Sequence, residues 1–394
     1  MNDKLRADFP ILRDIIYMDS GATSLTPEPV VEAVSRYYRD YNANVGRGVH
    51  RLAKMATQYY EDAHRKVAGF IGAKEGEVIF TKNTTEAINM VAYGLKWEKG
   101  DEVVTTALEH HSNFLPWLRL KEKGVNIKIV KPNRDGLFDV ADFEAAIDAG
   151  TRLVAVTHVS NVLGTISPIK EISALCRESN ALLLVDGAQS APHISIDVEV
   201  LGCNFFAFSG HKMLGPTGTG VLWMKDPEGI EPSFFGGGMI EEVSLDDYKL
   251  AAGYERFEAG TPNIAGCIGL GRAVDYLQEV GMNEMKSHES KLTKMLLSGL
   301  LDTGNVQVYG STTLKDRIGV VSFNIKGMNP HDVALMLDDA SDIMVRSGHH
   351  CCMPLMNYLG LEGTVRASLY LYNIEEELDK FLETVESIAR LSEI

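Results

Sequence analysis

The most informative residue is a lysine between an apolar run and a glycine-rich turn. Lys212 follows the run 205–208 and precedes the turn 215–218. Because a lone ammonium is costly in apolar surroundings, such a lysine is usually paired, neutralised or used covalently. Upstream, the apolar run 182–185 ends at Asp186. A lysine for a Schiff base and an aspartate for a pyridinium nitrogen are the two groups that pyridoxal phosphate (PLP) requires, although two strand ends with polar caps would look the same.

Polar residues follow three further apolar runs. Thr84 and Thr85 begin a helix-like stretch, where hydroxyls and free N–H groups can hold a phosphate or form an ordinary N-cap. His110 follows the next run and can stack on a ring or carry protons near neutrality, although it could equally be a surface or capping residue. Asn161 follows another run. Because the carboxyl ends of strands form the ligand crevice of doubly wound sheets, we expect these clusters to meet.

Residues 349–352 read His-His-Cys-Cys and raise the question of a metal site. Paired zinc-binding cysteines are usually separated by about two to four residues, so adjacent ligands disfavour a metal and we predict none. A thiol flanked by histidines near Arg346 is better suited to act as an activated nucleophile. Arg366 has the bidentate fork that grips a substrate carboxylate, or it forms a surface salt bridge.

Seven apolar runs alternate with helix-like segments in the first two thirds of the chain. Their continuous apolar character is typical of a sheet covered on both faces. The alternation predicts an α/β fold with a mostly parallel seven-stranded sheet. The predicted strands are 78–80, 102–105, 126–130, 153–156, 181–185, 205–208 and 220–223.

The pattern changes after the glycines at 236–238. Longer helices and short strands then indicate a smaller α+β domain. We expect a large domain over residues 18–262 and a small domain from residues 1–17 and 263–394, which carries the cysteine cluster. The predicted helices are 263–280, 283–301 and 375–391, and the predicted strands are 306–309, 319–325 and 365–369.

Composition limits the function classes. The chain has 394 residues and a net charge of -16, which argues against a nucleic-acid partner. No apolar run reaches the length of a membrane span, and residues 1–6 lead into no signal-like apolar region. Five cysteines without framework spacing indicate a reducing compartment. We therefore expect a cytoplasmic protein with neither nucleic acid nor membrane as a partner.

Together these segments resemble the class V, fold-type I PLP enzymes, and specifically the group II cysteine desulfurases and selenocysteine lyases. The similarity runs from Arg6 to the C-terminal helix. Its most specific parts are residues 157–165, 209–212, 257–263 and 348–351.

The resemblance implies a role for each candidate residue. Lys212 would hold PLP and move the Cα proton, while His110 would stack on the ring. Cys351 would take the substrate sulfur as a persulfide and leave alanine. Asp186 would pair with the pyridinium nitrogen and Gln189 with the ring hydroxyl. The remaining implied contacts are Thr84, Thr85, Ser209 and His211 for the cofactor and its phosphate, Thr261 for the phosphate of a neighbouring subunit in a homodimer, and Asn161, Arg346 and Arg366 for the substrate carboxylate, with Asn161 also near the cofactor.

Three positions depart from the family pattern. Cys352 stands where alanine is common, Gly46 replaces a histidine, and the turn 236–239 is one residue short. The last two concern the dimer-face loops and the dock for a sulfur acceptor. Neighbouring side chains in an extended loop point in opposite directions, so we expect only one thiol to face the cofactor, and the family pattern selects Cys351.

The resemblance implies a PLP-dependent cysteine desulfurase that converts L-cysteine to L-alanine. Its sulfur would go to an acceptor or scaffold protein for iron–sulfur cluster assembly. The alternatives with the same fold are a selenocysteine lyase and a class V aminotransferase, which would not need the thiol of Cys351. A non-catalytic scaffold is a further alternative, but it would not need Lys212 or Asp186.

Overall fold

The computed structural model describes residues 3–391. Met1, Asn2 and residues 392–394, which belong to the predicted small domain, lie outside the described residues. The strands are β1 (Ile16–Tyr17), β2 (Glu77–Thr81), β3 (Glu102–Thr106), β4 (Asn126–Val130), β5 (Thr151–Thr157), β6 (Leu182–Asp186), β7 (Phe205–Ser209), β8 (Gly220–Met224), β9 (Ile240–Val243), β10 (Tyr248–Leu250), β11 (Val306–Tyr309), β12 (Val320–Ile325), β13 (Ile343–Met344), β14 (Arg346–Gly348) and β15 (Thr364–Ser368).

Helices separate most of these strands. They are α1 (Asp3–Arg6), α2 (Glu28–Asp40), α3 (Arg51–Phe70), α4 (Thr84–Gly94), α5 (Leu115–Arg119), α6 (Val140–Ala146), α7 (Ile169–Ser179), α8 (Val198–Leu201), α9 (Ile264–Val280), α10 (Met282–Asp302), α11 (Pro330–Ser341), α12 (Met353–Leu359) and α13 (Glu375–Leu391).

The central sheet has the strand order β2-β8-β7-β6-β5-β3-β4, and only β8 runs antiparallel to its neighbours. Successive residues of β6 point into different cores, Val185 with α2, α3 and α7, and Leu184 with α4 and α5. Both faces are therefore covered, which explains why the strands are apolar along their whole length. The predicted mostly parallel seven-stranded sheet is confirmed.

A second sheet, β11-β12-β15-β14, is antiparallel and packs against α10, α11 and α13. Strand β1 joins this part of the molecule, because Ile16 pairs in parallel with Ile343 of β13. This pairing agrees with assigning the N-terminal residues to the small domain, although the domain limits stay a prediction. Within residues 3–391, none of the helices combines the length and apolar character that crossing a bilayer requires.

Candidate active site

A pocket of about 220 Å³ lies at the carboxyl ends of β5, β6 and β7, on the side that faces the second sheet. The central sheet and the segments after its strands supply most of the wall, and the second sheet supplies β14, β15 and the cysteine turn between them. Every site residue predicted from the sequence lines this pocket except Thr261: Thr84, Thr85, His110, Asn161, Asp186, Gln189, Ser209, His211, Lys212, Arg346, Cys351 and Arg366.

Hydroxyl groups gather at the start of α4. Ser209 Oγ accepts the Thr84 N–H at 2.9 Å and lies 2.7 Å from Thr84 Oγ1. The N-cap of this helix is Asn83, which accepts the Glu86 N–H at 3.0 Å. The alternative of a threonine N-cap is therefore wrong, and the threonine hydroxyls line the pocket beside the positive end of the helix.

Lys212 and Asp186 lie at the centre of the pocket. Lys212 ends a short 3-10 helix directly after β7. Burial lowers the pKa of Lys212 to about 8, and the charge of Asp186 opposes this shift. Asp186 is buried, accepts the Ala188 N–H at 2.9 Å, and has its pKa raised by burial. A cation placed against this carboxylate would therefore be strongly favoured.

His110 is fixed as a neutral imidazole. Its Nδ1 accepts the Ser112 N–H at 3.1 Å, so the ring proton sits on Nε2. Burial, followed by the charge of Lys212, lowers the pKa of His110 to about 3. His211 Nδ1 lies 3.2 Å from Thr23 Oγ1, and burial lowers the pKa of His211 to about 4. Both rings add no positive charge at neutral pH.

Arg366 forms the opposite end of the pocket. It lies within β15 and is buried, with Nη1 donating to the Asn161 carbonyl and Nη2 to Asp19 Oδ1, each at 2.9 Å. Arg346 Nη1 lies 3.8 Å from the other oxygen of Asp19. The ion pair of Arg366 is thus buried at a pocket, and the alternative of a surface salt bridge is wrong. The Nε of Arg366 has no hydrogen-bond partner among the described residues.

Two amide side chains complete the wall. Asn161 Nδ2 donates to the His350 carbonyl at 2.8 Å, which ties the large domain to the cysteine turn. Gln189 Nε2 donates to the Gly21 carbonyl at 2.7 Å. Gln189 Oε1 is buried without a hydrogen-bond partner among residues 3–391, so the pocket offers an acceptor that nothing in the described chain uses.

The two adjacent thiols lie in different surroundings. Cys351 is half-buried and lines the pocket, whereas Cys352 is fully buried. Cys352 Sγ donates to the Glu109 carbonyl at 3.2 Å, and burial raises the pKa of Cys352 well above the ordinary thiol value. A buried thiol of this kind is a poor nucleophile.

The chain around these thiols is not the extended loop that we expected. His350 and Cys351 have φ angles of 51° and 55°, in the left-handed region. The conclusion that only one thiol faces the pocket holds, but the reason is this tight turn. In the described part of the chain, no group of three or more His, Cys, Asp or Glu side chains is placed to hold a metal ion.

Thr261 lies apart from the pocket of its own chain. It is exposed and borders a separate cavity of about 630 Å³ beside Gly46, Arg47 and Gly237. The single chain therefore does not test the predicted contact with a neighbouring subunit, which stays a prediction.

Sequence reasoning missed the contribution of the N-terminal segment. Gly21 and Ala22 line the pocket, and Asp19 pairs with both arginines. A carboxylate and a glycine directly after the apolar run 15–18 were an available signal. His350, which also lines the pocket, was noted only as a neighbour of the thiol.

The family model described as aminotransferase class-V matches residues 16–381. The chain belongs to this family. The match includes every element that lines the pocket, from the segment after β1 to β15. The family resemblance inferred from the motifs is therefore confirmed.

Within the class-V family, the chain is similar to curated relatives and solved structures that are named cysteine desulfurases. A probable cysteine desulfurase from Methanothermobacter thermautotrophicus is 48% identical, with 98% of each chain covered. The apo structure of a cysteine desulfurase from Thermococcus onnurineus is also 48% identical, with a TM-score of 0.96 and 99% of each chain covered. The cysteine desulfurase CsdA from Escherichia coli is 34% identical, with a TM-score of 0.92 and 99% of each chain covered.

Proposed function

We propose that this protein is a PLP-dependent cysteine desulfurase that converts L-cysteine to L-alanine and collects the sulfur as a persulfide on Cys351. One observation carries the proposal. A half-buried thiol, a lysine, a buried aspartate and a buried arginine line one pocket at the domain boundary. An aminotransferase of the same fold would need no thiol there, and a scaffold would need neither Lys212 nor Asp186.

The residues present fit PLP. Gln189 Oε1 is a buried acceptor without a partner among the described residues, which suits the ring hydroxyl of PLP. The backbone at the start of α4 packs closely against the first residue of β8, because a Cβ on Gly220 would lie 2.4 Å from Asn83 Cα. Asp186 needs a cation, and a protonated pyridine nitrogen supplies one. We infer that Lys212 carries the cofactor covalently and that His110 covers its ring.

The phosphate of the cofactor would lie at the hydroxyl cluster. Thr84, Thr85 and Ser209 supply hydroxyls there, and α4 directs its positive end to the same place. His211 would donate a further hydrogen bond.

When bound, PLP supplies an electron sink that lets the Cα–H bond of an amino acid ionise. Lys212 Nζ, with its pKa lowered to about 8, exchanges protons close to neutral pH and is suited to remove the Cα proton. Arg366 and Arg346 would orient the substrate carboxylate, with Asn161 beside them. These contacts fix the Cα–H bond in front of the lysine.

The sulfur transfer balances without an external oxidant. Cys351 Sγ, as a thiolate, forms a bond to the sulfur of L-cysteine while the Cβ–S bond of the substrate breaks. The electron pair of that bond stays with the carbon skeleton, which takes up protons and leaves as alanine. Sulfur is thereby oxidised to the persulfide level as the carbon is reduced. Covalent capture divides one difficult step into two.

A direct assay tests the proposal. Purified holoenzyme with a thiol reductant should release equal amounts of alanine and sulfide from L-cysteine. Selenide release from L-selenocysteine, measured in parallel, separates a desulfurase from a selenocysteine lyase. Alanine without sulfide, or an exchange of the amino group with a keto acid, would refute the proposal.

We further propose that the protein acts as a homodimer that hands sulfur to an acceptor or scaffold protein for iron–sulfur assembly. Exposed apolar side chains on the hairpin β9–β10, including Val243 and Leu245, support a protein contact near Thr261. Sedimentation of the purified protein tests the dimer. A monomer at all concentrations would contradict it.

Asp186→Asn is expected to keep the fold but to lower kcat for alanine release by about 10²-fold, because a neutral amide no longer stabilises the positive charge next to it. The measurement is steady-state alanine release, with circular dichroism as the check on folding. Near wild-type turnover in this variant would mean that another group holds the pyridinium.

Arg366→Lys is expected to raise KM for L-cysteine by about 10-fold to 100-fold, because a charge-assisted hydrogen bond contributes about 1.5–3 kcal/mol and an ammonium cannot form the planar fork. Arg346→Lys, at the more exposed arginine, is the matched control and should have a smaller effect. If KM does not change, Arg366 serves only as the partner of Asp19.

A further inference from the structure

The turn that carries Cys351 is held in an unfavourable backbone conformation. His350 and Cys351, neither of them glycine, have φ angles of 51° and 55°. Side chains with a Cβ rarely adopt this left-handed region, because the Cβ approaches the following carbonyl oxygen. Such a conformation persists only where surrounding groups enforce it, and it clusters at functional sites. The question is which groups enforce it here.

Large-domain groups bond the turn from one side. The His111 N–H donates to the Cys351 carbonyl at 2.7 Å, and His111 Nε2 accepts the Met353 N–H at 3.1 Å. Asn161 bonds the His350 carbonyl, and the thiol of Cys352 donates to the Glu109 carbonyl. His111 is the residue that contacts the turn on both sides of Cys352, through its main chain and its side chain.

The imidazole of His111 also accepts the first N–H of a helix. Met353 begins α12, and the N-cap residue Cys352 makes no side-chain capping hydrogen bond. Like the other N–H groups of a first helical turn, the Met353 N–H has no acceptor within the helix itself. His111 Nε2 supplies one from another segment of the chain. Burial, and then the neighbouring His349, lower the pKa of His111, which keeps this nitrogen free to accept.

We propose that His111 is a positioning residue for the nucleophile: by accepting the Met353 N–H, its side chain fixes the turn that presents Cys351 to the pocket. The proposal rests on the proposed role of Cys351 as the sulfur acceptor. His111 itself need not touch the substrate or the cofactor, and it is absent from the pocket wall formed by His110 and Cys351. Its effect should therefore fall on sulfur transfer and not on substrate binding.

Two substitutions of His111 separate this role from general packing. His111→Phe removes the acceptor and keeps a ring, whereas His111→Gln keeps an acceptor at a similar reach. We expect His111→Phe to lower kcat about tenfold or more, because a displacement near 1 Å can cost about 10²-fold in rate, with KM for L-cysteine within about twofold of wild type. His111→Gln should recover most of that loss.

A second readout needs no turnover. The alkylation rate of Cys351 by iodoacetamide, followed by peptide mass spectrometry without L-cysteine, reports the position of the thiol directly. It should change more than threefold in His111→Phe and stay near wild type in His111→Gln. His331→Phe is the control, because His331 Nδ1 contacts Ser347 at 2.8 Å on the preceding strand but does not bond the turn.

The possible outcomes are distinct. Wild-type alkylation and wild-type kcat in His111→Phe would overturn the proposal, as would equal losses in the Phe and Gln variants. If His111→Phe does not fold, His111→Ala removes the same acceptor with a smaller side chain, and wild-type alkylation of Cys351 in that variant overturns the proposal. Failure of the proposed function would appear separately, as wild-type enzyme that releases no alanine.

Discussion

Lys212→Ala is expected to abolish covalent attachment of PLP and to lower alanine release by about 10³-fold, because the anchor and the acid–base group are lost together. Lys212 is the lysine at the end of β7, beside the strand that ends in Asp186. The wild-type protein should be yellow after loading with PLP. Borohydride reduction followed by peptide mapping should place the pyridoxyl group on Lys212.

Lys225→Ala is the matched control for this experiment. Lys225 is an exposed lysine directly after β8, outside the pocket wall. The Lys225→Ala substitution should leave both the yellow colour of the loaded protein and the rate of alanine release unchanged. A pyridoxyl group on any other lysine of the wild-type protein would show that the cofactor site is assigned wrongly.

Cys351→Ala is expected to lower sulfide and alanine release from L-cysteine by about 10²-fold or more, because no thiolate remains in the pocket to capture the sulfur. Mass spectrometry after one turnover should find the added sulfur on Cys351 in the wild-type protein. The variant should still bind PLP, which separates loss of the nucleophile from loss of the cofactor site.

Cys352→Ala provides the comparison for Cys351. The thiol of Cys352 is buried against the Glu109 carbonyl, and its raised pKa leaves little thiolate. We expect the first turnover of this variant to stay within about twofold of wild type. Persulfide on Cys352 in the Cys351→Ala protein, with turnover intact, would reverse the assignment.

Most of the sheet was predictable from the sequence because its strands are buried on both faces. Each predicted apolar run falls on one of the strands β2 to β8, within about two residues. The helices α2, α3 and α11 were missed, although the buried residues of α3, from Ala53 to Phe70, recur at helical spacing and were an available signal. The exposed hairpin β9–β10 was also missed, since its strands bury no apolar face that a pattern could reveal.

The part of the pocket that lies at the carboxyl ends of the parallel strands was predictable from the sequence. His110, Asn161, Asp186 and Lys212 all lie at or just beyond the carboxyl ends of parallel strands, and this topology brings such positions to one edge. The partnership of Asp19 with Arg366 was not predictable, because it joins residues far apart in the chain through two separate sheets. The left-handed turn at Cys351 gave no sequence signal, since tertiary hydrogen bonds enforce it where no glycine stands.

The pairing of β1 with β13 has a consequence for biosynthesis. Ile16 is synthesised long before Ile343, its partner in the parallel strand pair. Because domains form as their sequence emerges, a growing chain can build the half of the pocket that holds Lys212 before Cys351 and Arg366 exist. We therefore expect the complete pocket, with Lys212 and Cys351 together, to form only after β1 has paired with β13.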